Sequence, residues 1–187
     1  MDVREKLLRA AADVYAEAGY RGATTRRIAL EAGVNEITLF RHFGSKDALL
    51  NEALHCSGLH AALPTLPHEP RDPERELSEW SREFIDHMYQ HRSMIRTCLG
   101  EIESHPEVIP NAGEGPAMAS RDLCAYLLRL RERGMAGSHF DPPVAAAMLM
   151  GAMFADAMGR DFMPEIYRYS AHDAPALYVK LFLQAIA

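Results

Sequence analysis

The sequence has few of the features that mark secreted or membrane proteins. Its 187 residues include only three cysteines (Cys56, Cys98 and Cys124) and no Cys-x-x-Cys pair, which favours reduced thiols over a disulfide framework. No signal-like segment opens the chain. The most extended apolar run, Val144 to Ala155, covers 12 residues, whereas a membrane span needs about 20. We therefore expect a cytoplasmic protein that neither crosses nor binds a membrane.

The short motifs of the common enzyme classes are also missing. There is no G-x-S-x-G, H-E-x-x-H, P-loop or dinucleotide-binding glycine pattern. The glycine pair Gly113 and Gly115 flanks an acid and precedes a proline, which is poor for cradling phosphate. The sequence thus predicts a protein that is not an enzyme and has no cofactor. An enzyme built on an unmarked carboxylate pair is a less favoured alternative.

Charge is distributed unevenly along the chain, whose net charge is −6. Residues 1–47 carry eight Lys or Arg against seven Asp or Glu, whereas residues 48–187 carry 12 against 19. The near-neutral N-terminal part (residues 1–47) permits local contact with phosphates, whereas the acidic remainder (residues 48–187, here called the body) does not favour contact with DNA. This asymmetry predicts two domains, one over residues 1–47 that permits contact with phosphates and a second over residues 48–187.

The first 62 residues show helical periodicity. Leu7, Ala11, Tyr15 and their neighbours form one apolar stripe, and Gly19 is expected to end that helix. Second and third helices are predicted over 26–32 and from the cap Asn35 to about 43, and a fourth over 46–62. Two short helices joined by an Ala-Gly-Val-Asn turn are typical of a helix-turn-helix, whose second helix enters the major groove. Geometry alone also fits ordinary packing.

The residues themselves narrow the interpretation. The run TTRRIA…AGVNEITLFRHFGSKDALL over residues 24–50 closely resembles the N-terminal signature of the TetR family of transcriptional regulators. That resemblance is specific over roughly residues 5–52 and only architectural beyond them. It implies an all-α homodimer with one helix-turn-helix per subunit. It also implies a larger helical domain that binds a small effector and forms the dimer interface.

The resemblance assigns roles to individual residues. Thr25 corresponds to the family's phosphate-contacting hydroxyl and Lys46 to its phosphate-directed lysine. Thr38, Phe40 and His42 occupy the recognition-helix positions that meet backbone or bases. Hydroxyls, lysines and helix N-termini are suited to phosphate. A purely structural role is the alternative for each residue: a helix cap for Thr25, a solvated charge for Lys46 and packing for Phe40. The predicted DNA-binding residues are Thr25, Arg26, Asn35, Glu36, Ile37, Thr38, Phe40, Arg41, His42 and Lys46.

Three recognition-helix residues depart from the family pattern. Phe40 lacks the hydroxyl of the tyrosine common at its position. Ile37 is bulky where the family often has a small residue, so it either contacts a thymine methyl group or lies between helices. Glu36 can accept from a cytosine amino group or stabilise the helix N-terminus, but it opposes phosphate. These departures suggest modest affinity at physiological salt.

The body is predicted to be helical after a proline-rich break at 63–73. Helices are expected over 74–91, 93–103, 118–133, 143–159 and 173–187. The second of these is expected to bury Met94, Ile95, Cys98, Leu99 and Ile102. Pro143 to Gly159 is apolar on all sides and should be buried on all sides. The resemblance implies that the last two helices pair with those of a second copy, while the alternative is that they complete the subunit's own core.

A ligand pocket in the body is implied by the resemblance. Met and aromatic residues suit a deformable apolar cavity, although a stripe of them is more often plain core. The effector would then be apolar or aromatic. A metal between His87 and His91 is not favoured, because no third ligand has a fixed spacing. The candidate ligand-binding residues are Trp80, Phe84, Met88, Cys98, Met118, Tyr126 and Met148.

These observations predict a dimeric transcriptional regulator, a repressor in preference to an activator. It would leave its palindromic double-stranded operator DNA when an effector binds. Effector binding would tilt the fourth helix and separate the two recognition helices. The alternative is an all-helical interaction module with a weakened helix-turn-helix, which the acidic total and Glu36 suggest.

Overall fold

The computed structural model describes residues 1–56, 64–105 and 114–187, and these residues form helices and connecting loops with no β-strand. The predicted all-α class is confirmed. The helices divide into two compact units, here called the N-terminal unit (α1–α4 with α6) and the C-terminal unit (α5 with α7–α9). Their bounds are α1 Val3–Gly22, α2 Thr25–Glu31, α3 Glu36–Phe43, α4 Lys46–Cys56, α5 Pro73–Gln90, α6 Arg92–Glu101, α7 Glu114–Glu132, α8 Pro142–Gly159 and α9 Ala174–Ile186.

Helix α1 is longer at both ends than the apolar stripe predicted. Asp2 caps its start by accepting a hydrogen bond from the Glu5 N–H, and the Glu5 side chain bonds back to the Asp2 N–H. Gly19 adopts φ 65°, in the region that favours glycine. As expected, the regular helix is interrupted at Gly19, whose backbone is not helical; beyond this kink the chain makes one further helical turn to Gly22, which the sequence did not predict.

The short helices of the N-terminal unit begin at side-chain caps. Thr24 accepts from the Arg27 N–H at 3.2 Å, and Asn35 accepts from the Ile37 N–H at 2.9 Å. Between them Gly33 turns the chain with φ 67°. Helices α1–α4 enclose a core in which Leu7, Ile28 and Leu39 are fully buried.

Helix α6 adds one face to this core. Met94 and Cys98 are buried with it, whereas Leu99 and Ile102 are about half exposed. The prediction that Leu99 and Ile102 are buried was wrong. Residues 94, 97, 98 and 101 share one helix face, so packing of this face against α1 leaves the apolar residues of the opposite face outside the core.

The C-terminal unit packs α5 against α8 and α9. The predicted apolar faces of α5 and α7 are buried as expected, and Gly134 with φ 69° follows the end of α7. Helix α8 differs from its prediction, because within the described subunit one face is buried and the opposite face is open. Met148 is 65% exposed and Val144 58% exposed.

One ion pair is buried where α8 ends. Asp156 is 1% exposed, and both of its oxygens accept from the Arg160 guanidinium, at 2.6 and 2.7 Å. The hydroxyls of Tyr178 on α9 and Tyr89 on α5 donate to the same carboxylate at 2.7 and 3.3 Å. Arg160 in turn donates to the Tyr169 carbonyl at 2.5 Å. The cluster therefore joins three helices and the loop after α8.

Among the described residues, Pro142–Gly159 is long and apolar enough to cross a membrane by length and composition. Half of that segment is buried inside the protein. Core helices of globular proteins pass the same test, and the buried Asp156 pair suits such a core, so this segment is weak evidence for a membrane span.

Candidate nucleic-acid interface

The helix-turn-helix presents one face of α3 outward. Successive residues of a helix are about 100° apart, so Ile37 lies opposite the buried Leu39, and Arg41 follows one turn later on the side of Ile37. Ile37 is 75% exposed and Phe40 is 45% exposed. Phe43, on the inner side, is half-buried beside the Arg4 guanidinium, 5.3 Å from its ring. An outward face of this kind is what contact with a DNA groove requires.

Helices α2 and α3 are joined by a hydrogen bond between two predicted DNA-binding residues. The Thr25 hydroxyl donates to Glu36 Oε1 at 2.5 Å. Thr24 serves as the cap of α2, so Thr25 is available for this contact. Glu36 consequently holds the hydroxyl that the sequence assigned to a phosphate. It also places its own negative charge at the start of α3.

The remaining predicted DNA-binding residues lie on α2, on α3 with its cap Asn35, and at the first residue of α4, and none is in the core. Arg26 and Arg41 make no ion pair among the described residues, whereas the neighbouring Arg27 pairs with Glu17 of α1 at 2.7 Å. The exposed members of the set are Arg26, Asn35, Ile37, Phe40, Arg41 and His42, and the half-buried members are Thr25, Glu36, Thr38 and Lys46.

Lys46 is held on the protein itself. Its ammonium donates to the Tyr20 carbonyl oxygen and lies 3.6 Å from the centre of the Tyr20 ring. Burial lowers the pKa of Lys46, although the nearby charges of Asp47 and Glu101 oppose this. A phosphate contact by Lys46 therefore has to compete with Tyr20.

Tyr20 connects three helices of the N-terminal unit. Its N–H donates to Glu101 Oε1 of α6 at 3.1 Å, and its hydroxyl donates to Asp47 of α4 at 2.6 Å. The His105 ring lies 4.1 Å from the Tyr20 ring. Thr97 of α6 also donates to the Ala16 carbonyl at 3.0 Å. The sequence analysis missed this cluster, because 81 residues separate Tyr20 from Glu101 and no local pattern relates them.

The candidate ligand-binding residues fall into three groups. Trp80, Phe84, Met88 and Tyr126 are buried in the C-terminal unit, where the Trp80 and Phe84 rings stack 5.1 Å apart. The Tyr126 hydroxyl donates to Glu76 at 2.5 Å. Burial is the main cause that raises the pKa of Tyr126, and the hydrogen bond to Glu76 raises it further. Cys98 is buried in the core of the N-terminal unit, and Met118 and Met148 are exposed. A role in ligand binding stays a prediction for all seven.

No group of three or more His, Cys, Asp or Glu within the described residues could hold a metal ion. Of the three thiols, Cys56 is exposed, Cys124 is half-buried and Cys98 is buried. Burial raises the pKa of both Cys98 and Cys124, which disfavours the reactive thiolate.

A second open surface is the exposed face of α8, called here the α8 stripe. Its members recur every three or four residues and none is charged. On α9, Leu177 and Leu181 are exposed as well, one turn apart. Exposed apolar stripes on neighbouring helices are typical of protein interfaces. The α8 stripe consists of Val144, Ala147, Met148, Gly151, Phe154 and Ala155.

Comparison with known proteins supports the nucleic-acid interpretation. Residues 7–53 match the family model of bacterial regulatory proteins of the tetR family. The chain is 28% identical over 131 residues to the uncharacterized HTH-type transcriptional regulator YvkB of Bacillus subtilis, a match that covers 70% of this chain and 69% of that protein.

A second sequence relative and a solved structure also point to helix-turn-helix regulators. The HTH-type transcriptional repressor Rv3405c of Mycobacterium tuberculosis is 38% identical over 69 residues, about a third of either chain (34% and 37%). In structure, the chain is similar to the TetR-family regulator PfmR of Thermus thermophilus, with a TM-score of 0.69 and 25% identity. That match covers 95% of this chain and 97% of PfmR. The likeness therefore includes the C-terminal unit.

Proposed function

We propose that this chain is a regulator of the TetR family, a ligand-responsive repressor that binds a palindromic operator as a homodimer, because residues 7–53 match the family model. The match over residues 7–53 and the regulator relatives support a DNA-binding transcriptional regulator. We add to this the response to a ligand, repression, the palindrome, the homodimer and the cytoplasmic location.

The observation that carries the proposal is the open outward face of α3. In a helix-turn-helix the second helix enters the major groove and the first crosses the backbone. Arg26 and Arg41 are exposed cations on these two helices, available to phosphate or to guanine. Thr38, Phe40 and His42 complete the proposed contact surface, with Asn35 at its edge. The domain division at residues 47 and 48 stays a proposal that rests on the uneven charge of the sequence.

Dimerisation is proposed through the α8 stripe and the exposed leucines of α9. A helix with no charge on its exposed face leaves apolar area in water unless another protein covers it. A second copy is the fitting partner, because a two-fold interface buries the same stripe on both subunits. Two helix-turn-helix units then read two half-sites of one duplex.

The effector is proposed to bind in the C-terminal unit and to be apolar or aromatic. Trp80, Phe84 and Met88 supply buried aromatic and thioether surface on α5. Release from DNA would require motion of α4, and Tyr20 offers the means, since it is bonded both to Glu101 of α6 and to Asp47 of α4. A coupling free energy of about 1–3 kcal/mol is typical of such regulation. Ligand and operator should then weaken each other's binding by equal factors.

Two measurements test the proposal. The purified protein should select a palindrome from random duplexes at about 150 mM salt, a concentration at which non-specific binding is weak. Met148→Asp should convert a dimer into a monomer in analytical ultracentrifugation, because it places a charge in the α8 stripe. Met118→Asp is the matched control, since Met118 is 56% exposed on α7 and should leave the dimer intact. Failure to select any sequence, even at about 50 mM salt, would favour an interaction module instead.

A further inference from the structure

The first turn of α3 presents an apolar side chain where DNA-reading proteins more often present polar ones. Ile37 is 75% exposed, opposite the fully buried Leu39. The sequence allowed Ile37 either to lie between helices or to face the DNA, and its exposure excludes the first role. A large aliphatic side chain so exposed lies against water unless a partner covers it.

The polar groups beside Ile37 are engaged within the protein. Asn35 Oδ1 accepts from the Ile37 N–H at 2.9 Å, and Glu36 Oε1 accepts from the Thr25 hydroxyl at 2.5 Å. Both are acceptors of the kind that would otherwise read an amino group on a base edge. The bond to Thr25 directs the Glu36 carboxylate toward α2, and Ile37 is left at the centre of the outward face.

We propose that Ile37 is a specificity-determining residue that contacts the C5-methyl group of a thymine in each operator half-site. This inference rests on the proposed function, because it requires α3 to lie in the major groove. The thymine methyl is the apolar group that base pairs present there, and contact with it removes both surfaces from water. Arg41, one turn further along the same face, has hydrogen-bonding capacity for a neighbouring base pair.

The test replaces thymine by deoxyuridine, which removes the methyl group alone. Each thymine of the selected palindrome is changed in turn and binding is measured by fluorescence anisotropy. Replacing thymine by deoxyuridine at one position in one half-site should lower the affinity of the wild-type protein about fourfold, the factor expected for one buried methyl group. The same change in both half-sites removes two methyl groups and should lower the affinity about 15-fold. A cytosine at that position should bind more tightly once it is 5-methylated, because its methyl group occupies the same place.

Variants assign the effect to Ile37. Ile37→Ala should bind the thymine and uracil operators equally, whereas Ile37→Val should keep most of the discrimination. Leu30→Ala is the matched control, because Leu30 is 80% exposed on α2 and should leave the thymine preference unchanged. Circular dichroism checks that each variant folds. We expect that they do, because the Ile37 and Leu30 side chains are exposed and lie outside the core.

The outcomes separate this inference from the proposed function. A palindrome bound equally with thymine and uracil at every position would overturn the role of Ile37 and leave the regulator intact. Discrimination that survives in Ile37→Ala would also overturn it. A random pool from which no sequence is enriched would overturn both.

Discussion

The buried pair of Asp156 and Arg160 gives a prediction whose size follows from the structure. Asp156→Asn preserves volume but removes the charge and replaces one acceptor oxygen by a donor facing Arg160 and the Tyr178 hydroxyl. Removing one partner of a buried pair costs about 3–5 kcal/mol. A Coulomb estimate of about 4 kcal/mol, for unit charges about 4 Å apart at an effective dielectric constant near 20, agrees. A loss of about 4 kcal/mol is between about a quarter and four fifths of a total stability of about 5–15 kcal/mol.

The assay is urea unfolding followed by helical circular dichroism, at one protein concentration because a dimer's stability depends on it. Glu165→Gln is the matched control. Glu165 also pairs with an arginine, Arg168, but their side chains are 83% and 77% exposed, so the expected loss is about 0–1 kcal/mol. If Asp156→Asn lowers the free energy of unfolding by less than about 1 kcal/mol, or by no more than the control does, burial does not make this ion pair important for stability.

Two further predictions concern charge. Lys46→Ala should weaken binding to operator and unrelated duplex by the same factor and reduce the salt slope by about one, as for a phosphate contact; Arg168→Ala should change neither, and an effect confined to one base position would contradict the role. Tyr126→Phe should destabilise the protein by about 1–3 kcal/mol at pH 7. Burial raises the pKa of Glu76, but hydrogen bonds from Tyr126 and from the Asp72 and Arg71 N–H groups lower it overall. The stabilisation is therefore present above the unfolded pKa of Glu76 and lost as pH falls through the lower folded pKa. Unfolding measured from pH 7 to pH 3 should show the gap between Tyr126→Phe and wild type narrowing, and a constant gap would contradict it.

The local structure of the helix-turn-helix could be predicted closely because neighbouring residues produce it. Asn35 caps α3 through a contact two residues away, and Gly33 supplies the positive φ of the turn. Gly19 shows the limit of local reasoning. Its positive φ was anticipated, but continuation to Gly22 was not, and beyond the kink the Tyr20 N–H is held by Glu101 of the distant α6.

The candidate site was predictable as a set of positions and not as a set of contacts. Side chains on α2 and α3 share an outward surface because their spacing places them there. That Thr25 binds Glu36 and that Lys46 lies on Tyr20 depends on the angles between helices, which residue spacing does not encode. Likewise, Cys98 was grouped with residues of the body but is buried in the core of the N-terminal unit.

The sequence by itself determined the helical class and the helix-turn-helix, because apolar periodicity, caps and turn glycines act over a few residues, and its residues 24–50 carry the resemblance to the TetR family. The tertiary structure decided which apolar faces are covered. Helix α8 is apolar on every side, yet a subunit has room against only one face of it, so Val144 and Met148 stay exposed. Only packing between distant segments could separate the core face of that helix from the face left for a partner.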